Sequence, residues 1–346
     1  MLTLLPVHGL RPNCYLWQAR TREMSTTLDR RFIFIVGAAR SGTTWLHRML
    51  SMHPAIASLD GVELTVFTRY LAMPVAHFRQ EKNDMEAGRW SLGLGAVWKE
   101  DRFMDEVGCF LDKVYGTVLE TRPNATHILD KHPNYSRHIP LIAELVPNAR
   151  FIHLIRDGRE VVVSALSVNR RVGHSAGEVA QAAREWRDFV SQARDAGRTL
   201  DDRYLEVRYE ELKDRGVDVL ARIFTHCGLE ADGELVSRIH AENHISRKQY
   251  SSGDMTLNAL RSKPGAIWQQ RLSLTDHYRI HRWAGNLLMQ LGYAGPDWWA
   301  TSPFDRLAIR FRSFLWRVGR ALQGGFQTWK LAEVDPFEPL RAWRRS

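Results

Sequence analysis

Residues 31–300 predict an α/β fold, a central parallel sheet flanked by helices in a three-layer sandwich. Three observations carry this expectation. Short runs of β-branched and aromatic residues recur at Phe32–Val36, Phe151–Ile155 and Tyr204–Val207. A helical pattern follows each of them, and strand–helix alternation is the mark of parallel β-α units. The first run is apolar throughout, as a strand covered on both faces requires.

The elements follow in order. Residues 1–30 read as an N-terminal extension, whose apolar stretch is too short and broken for a signal sequence. The strand Phe32–Val36 ends at Gly37, and a small-residue loop, Ala38 to Gly42, follows it. Thr43–Met52 reads as a helix with Trp45, Met49 and Leu50 on one side. His53-Pro54 ends it, because proline disfavours helical backbone in the residue before it. Residues 61–124 then break the alternation with many aromatics among mixed charges, as an inserted, ligand-facing region would.

The second strand, Phe151–Ile155, leads through Arg156-Asp-Gly-Arg159 into a helix from Glu160 to about Val168. Glu178–Ala196 is helical by the spacing of Val179, Ala183, Trp186 and Val190. The third strand, Tyr204–Val207, runs into one helical stretch, Tyr209–Cys227, closed by Gly228. Thr275–Leu291 is a further helix. Residues 301–346 form a basic tail. Over 304–322, Phe304, Leu307, Phe311, Phe314 and Leu315 share one helical face, opposite Arg306, Arg310, Arg317 and Arg320. Such a helix suits peripheral contact with an anionic membrane, or packing against protein.

Composition narrows the function. The chain has 346 residues, 25% charged and 44% hydrophobic, as soluble globular proteins do. Its net charge of +9 favours a polyanionic partner: a nucleotide, a nucleic acid, an acidic glycan or an anionic membrane. Cys14, Cys109 and Cys227 are odd in number and form no CxxC pair, so reduced thiols in a cytoplasmic setting are expected. The histidines fall in no HExxH or Cys–His pattern, so no protein-bound metal is expected.

The segment Gly37-Ala-Ala-Arg40-Ser41-Gly42-Thr43-Thr44 lies between a strand and a helix. Small residues there let backbone N–H groups approach an anion, and the helix N-terminus adds its positive end. Arg40 can add a charge-assisted bond, and Thr43 and Thr44 can donate hydroxyls. The loop is close to the Walker A form, but Thr43 stands where that form requires lysine. This counts against ATP or GTP hydrolysis, in which that lysine reaches the β- and γ-phosphates. Here the sequence resembles the sulfotransferase superfamily, most closely its glycan and tyrosyl-protein branches. The resemblance implies a P-loop-like fold and a loop, Arg40 to Thr44, that holds the 5′-phosphosulfate of 3′-phosphoadenosine 5′-phosphosulfate (PAPS).

Further positions carry the same resemblance. Arg156 followed eight positions later by Ser164 matches the family's pair for the 3′-phosphate, and Tyr209 matches a tyrosine near the nucleotide. Arg261-Ser-Lys263-Pro-Gly-Ala-Ile-Trp268 looks like a third nucleotide segment, with Ser262 replacing a lysine and Gly265 displaced by one. Arg261 is its stronger match and Lys263 its weaker one. On the catalytic side, Glu63 follows His53-Pro54 as the general base does in the glycan and tyrosyl-protein branches. Asp130-Lys131-His132-Pro133 resembles the lysine that stabilises the leaving oxygen, and His132 is the second candidate for the base.

By this resemblance the chain moves a sulfuryl group from PAPS to an acceptor hydroxyl or amine, with no metal required. The acceptor is open among small molecule, glycan, lipid and protein, with 61–124 facing it. No nucleic-acid partner is implied, and oligomerisation is left open. The location expected is cytoplasmic, with the tail in reach of the inner membrane surface. Two other readings stand beside it: a P-loop kinase or NTPase, and a non-catalytic nucleotide-binding scaffold.

Overall fold

The computed structural model describes residues 27–89, 93–172, 179–243 and 267–300, with 302–304, 307 and 311 beyond them. Its strands are β1 (Arg31–Val36), β2 (Ile56–Ala57), β3 (His127–Lys131), β4 (Ala149–Ile155) and β5 (Tyr204–Arg208). They form one sheet in the order β2-β3-β1-β4-β5, and every pairing is parallel. The helices begin with α1 (Thr43–Ser51), α2 (Ala72–Glu86), α3 (Glu100–Glu120) and α4 (Ile139–Leu145). Then come α5 (Gly158–Val172), α6 (Val179–Gly197), α7 (Tyr209–Asp214) and α8 (Gly216–Cys227). The last are α9 (Gly233–Asn243), α10 (Ile267–Arg271) and α11 (Leu274–Gln290).

The two-residue period of a strand divides the core. From β1, Ile33 and Ile35 point to one face, where they meet Trp45 and Leu46 of α1, Leu212 of α7, Leu220 and Phe224 of α8, and Ile239 of α9. Phe32, Phe34 and Val36 point to the other, against Leu111 and Tyr115 of α3, Ile142 of α4 and Ala193 of α6. Both faces are therefore covered, which is why the β1 sequence shows no polar alternation. The result is a P-loop-like three-layer sandwich. A further apolar cluster joins α5 and α6 to α11 through Val162, Trp186, Ile280 and Leu288.

Three elements differ from the sequence reading. The sheet has five strands where three were expected. The strand β2 is only two residues long, and β3 carries the buried polar residues His127, Asp130 and Lys131 that hide its pattern. The stretch Tyr209–Cys227 is two helices, broken at Arg215 (φ −129°, ψ 45°). Gly216, the first residue of α8, lies so close to the His240 ring that a Cβ would meet it at 2.2 Å. Residues 61–124, read as a break in the alternation with no element assigned within it, hold a π-helical turn (Val66–Leu71) followed by α2 and α3. Val75, Val107, Leu111, Tyr115 and Val118 from these helices are buried against the sheet.

Arg261, Lys263, Trp90 and most of the tail lie outside the described residues, as do residues 1–26. Of the expected 304–322 helix, Phe304, Leu307 and Phe311 are described, and all three are exposed.

Candidate active site

Three neighbouring strands end at one edge of the sheet, where ligands of open α/β sheets bind. The central strand β1 delivers the glycine-rich loop, β3 delivers Lys131 and His132, and β4 delivers Arg156. The loop can be built only around its glycines. Gly37 has φ +144°, and a Cβ on it would sit 2.5 Å from the Leu154 carbonyl oxygen of β4. Its N–H donates to the buried Ser136 hydroxyl at 2.9 Å. Gly42, at φ +98°, caps α1 without a side-chain bond, and a Cβ there would meet the Tyr209 ring at 2.7 Å. Arg40 holds a positive φ of 74° despite its side chain, and such backbone strain clusters at ligand clamps.

This loop fits an anion. The first N–H groups of a helix have no partner within it, and here Thr43 and Thr44 supply them. The Ser41 hydroxyl is wholly buried and finds no hydrogen-bond partner among the described residues. An orphaned donor beside an uncapped helix start suits a phosphate or sulfate oxygen.

The second motif meets the first in space. Arg40 Nε donates to Ser164 Oγ at 3.2 Å, and Arg156 Nη1 donates to the Arg40 carbonyl at 3.3 Å. Arg156 is buried, and its guanidinium lies 4.5 Å above the Tyr209 ring. Burial pushes the Tyr209 phenol up to about 12, against the opposing charge of Arg156, so it stays protonated. Two residues that the sequence reading placed only as helix positions hold this corner. The Trp186 indole donates to the Arg156 carbonyl at 3.1 Å, and Glu160 stands 3.6 Å from the Arg156 guanidinium. The eight-position spacing from Arg156 to Ser164 did not point to either, although Glu160 lies four positions from Arg156.

The chemical residues converge as well. Lys131 Nζ donates to Thr44 Oγ1 at 3.2 Å and pairs with Glu63 Oε1. His132 Nε2 lies 3.4 Å from the other carboxylate oxygen, Oε2. Glu63, Lys131, His132 and Thr44 thus form one cluster, drawn from three separate stretches of chain. Glu63 is its most open member, with a side chain 38% exposed, whereas the Lys131 side chain is 8% exposed.

Beneath Lys131, sequence reasoning missed a buried carboxylate. Asp130 Oδ2 accepts hydrogen bonds from Tyr115 at 2.8 Å and Tyr135 at 2.9 Å, and Oδ1 accepts the Lys131 N–H at 2.7 Å. Burial raises the Asp130 carboxyl above its usual range, while the two phenols and Lys131 pull it back. The only signal was an acidic residue next to Lys131 in the Asp130-Lys131-His132-Pro133 segment. His47 of α1 is also buried nearby, and burial, helped by the Lys131 charge, holds it down to about 4. It is neutral at pH 7. Among the described residues, no three His, Cys, Asp or Glu side chains are grouped to hold a metal ion.

The family profile described as “Sulfotransferase family” matches residues 32–233, more than half of the chain. The chain belongs to the sulfotransferase family. Its match takes in the loop, Glu63, Lys131, Arg156, Ser164 and Tyr209. This sulfotransferase-family chain is 28% identical over 208 residues to a protein-tyrosine sulfotransferase of Drosophila melanogaster, covering 59% of this chain and 39% of that one. It is 28% identical over 186 residues to protein-tyrosine sulfotransferase 1 of Danio rerio, covering 53% and 49%. It therefore spans less than half the length of these two relatives. A solved structure, mouse sulfotransferase SULT7A1 complexed with PAP, aligns with a TM-score of 0.47 at 14% identity, covering 77% of this chain and 89% of that one.

Proposed function

We propose that this chain transfers a sulfuryl group from PAPS to an acceptor hydroxyl, with a protein tyrosine as the acceptor. One observation carries the reading: Lys131 touches the anion loop at Thr44 and the carboxylate of Glu63 at once. A cation that spans an anion site and a base sits where a leaving oxygen and an attacking oxygen must both be served. The names of the relatives support tyrosine as the acceptor class.

In this mechanism Arg40, Ser41, Gly42, Thr43 and Thr44 hold the phosphosulfate, and Arg156 and Ser164 hold the 3′-phosphate. A guanidinium fork suits a terminal phosphate dianion. Tyr209 walls the nucleotide side. Glu63 takes the proton of the acceptor hydroxyl as its oxygen bonds to sulfur. The bond from sulfur to the bridging oxygen breaks, and its electron pair stays on the departing 3′-phosphoadenosine 5′-phosphate (PAP). Lys131 and Arg40 neutralise the charge that grows on that oxygen. Fixed cations and helix dipoles placed before reaction are effective because they need not reorganise.

The test is transfer of radiolabelled sulfate from PAPS to a tyrosine-containing peptide, beside the same peptide with phenylalanine. Label on the tyrosine peptide alone is the expected result. Thermal shifts with PAP and with ATP plus magnesium separate the kinase alternative. Stabilisation by ATP–magnesium but not by PAP would overturn the reading.

A further inference from the structure

His132 is placed to be a base, yet its Nδ1 lone pair is already committed and its Nε2 faces a carboxylate. Its backbone is extended (φ −153°, ψ 134°), and it opens the 3-10 turn Pro133–Arg137. Its Nδ1 accepts the Asn134 N–H at 3.1 Å. A neutral imidazole has one lone pair and one N–H. With Nδ1 accepting, the proton must sit on Nε2, and Nε2 faces Glu63 Oε2 at 3.4 Å. Burial lowers the imidazole below its usual range, with Glu63 opposing and Lys131 and Arg69 assisting, so the neutral ring prevails at pH 7.

The ring is also fixed from behind. It lies 5.4 Å from the Tyr135 ring, whose hydroxyl is tied to the buried Asp130. Glu63, by contrast, stands on an irregular segment between β2 and the π-helical turn. A carboxylate there has few constraints of its own. Lys131 takes one oxygen and His132 faces the other, so the pair can set its orientation.

From this arrangement we propose that His132 is a positioning residue: its Nε2–H orients the Glu63 carboxylate, and Glu63 alone takes the acceptor's proton. The inference rests on the sulfuryl-transfer reading above. A base needs an unoccupied lone pair, and His132 would have to give up its Asn134 bond to offer one. Glu63 has lone pairs to spare on both oxygens after its two contacts. Misplacing a catalytic group by about 1 Å can cost about 100-fold in rate, so loss of this guide should be visible in kcat.

Two measurements test it. Turnover and PAP affinity are compared for the wild type, Glu63→Gln, His132→Ala and His132→Gln. His132→Ala should lower kcat roughly 10- to 100-fold while PAP affinity stays within about twofold. His132→Gln carries an amide N–H that can reach Glu63, and should recover most of the loss. If His132→Gln is as inactive as Glu63→Gln while still binding PAP, His132 is the base and the proposal falls. If His132→Ala turns over like the wild type, it falls too. The second measurement needs no turnover: nitrogen NMR of the His132 ring should show the Nε2–H tautomer, and an Nδ1–H tautomer would overturn the proposal. A wild type that binds PAP but sulfates nothing would defeat the function reading, and the tautomer would then decide only whether Nε2–H faces Glu63.

Discussion

Lys131 joins two otherwise separate halves, the anion loop through Thr44 and the carboxylate of Glu63. Removing the carboxylate charge should therefore separate chemistry from binding. Glu63→Gln should lower kcat by at least about 100-fold, the scale of a lost general base, with PAP affinity within about twofold by calorimetry. Equal turnover would remove Glu63 from its role. Arg156 should behave in the opposite way. It is buried at the corner proposed for the nucleotide, over Tyr209 and beside the loop carbonyl of Arg40. Arg156→Ala should weaken PAP binding by about 1.5–3 kcal/mol, the scale of a lost bond to a charged group.

At the scale of elements, the glycine-rich loop with its flanking strand and helix was legible and the rest only partly so. The strand β1, its loop and α1 announce themselves because burial on both sheet faces leaves an unbroken apolar run, and the anion site needs small residues. Glu63, Lys131 and His132 were named by resemblance, but their meeting was not readable, because 68 positions separate Glu63 from Lys131. The strand β3 escaped because its inward positions include a carboxylate and a cation, which a hydropathy pattern counts as surface. Their burial is made tolerable by Tyr115, Tyr135, Thr44 and Glu63, all contributed from elsewhere. The helix break at Arg215 also escaped, since an apolar spacing that continues across it reads as one helix. The loop itself gives an element-scale prediction. Gly37→Ala puts a methyl group against the Leu154 carbonyl and strains a positive φ. It should destabilise the fold by about 1–3 kcal/mol and abolish the thermal shift with PAP; an unchanged melting temperature would contradict the close packing described.

For the molecule as a whole, buried neutral histidines set the response to acid. Burial is the leading cause that holds His47 and His127 down to about 4 and His153 to about 3. Unfolding returns each to an ordinary value near 6.5. The unfolded chain then binds more protons than the folded one between about pH 6.5 and pH 4, so stability is full above that window and falls as pH drops through it. The raised carboxyl of Asp130 acts in the opposite sense, losing stability as pH rises through its folded value. These three histidines alone should contribute an uptake of roughly three protons on unfolding near pH 5. Melting temperatures from pH 7 to pH 4.5 measure this, and His153→Gln should reduce the uptake by about one proton. A pH-independent melting temperature would show that the histidines are accessible to protons in the folded state.

The strand order also bears on the growing chain at the ribosome. The middle of the sheet is made first, and β1 with its loop leaves the exit tunnel before either neighbour exists. Its partners β3 and β4 lie roughly a hundred residues later, so the central strand must wait, with both edges unpaired, through much of synthesis. The helices α2 and α3 are translated during that wait, and they bury the face that Phe32 and Phe34 present. In the folded chain residues 61–124 cover that strand face, so a chain lacking them would leave Phe32 and Phe34 without their apolar partners.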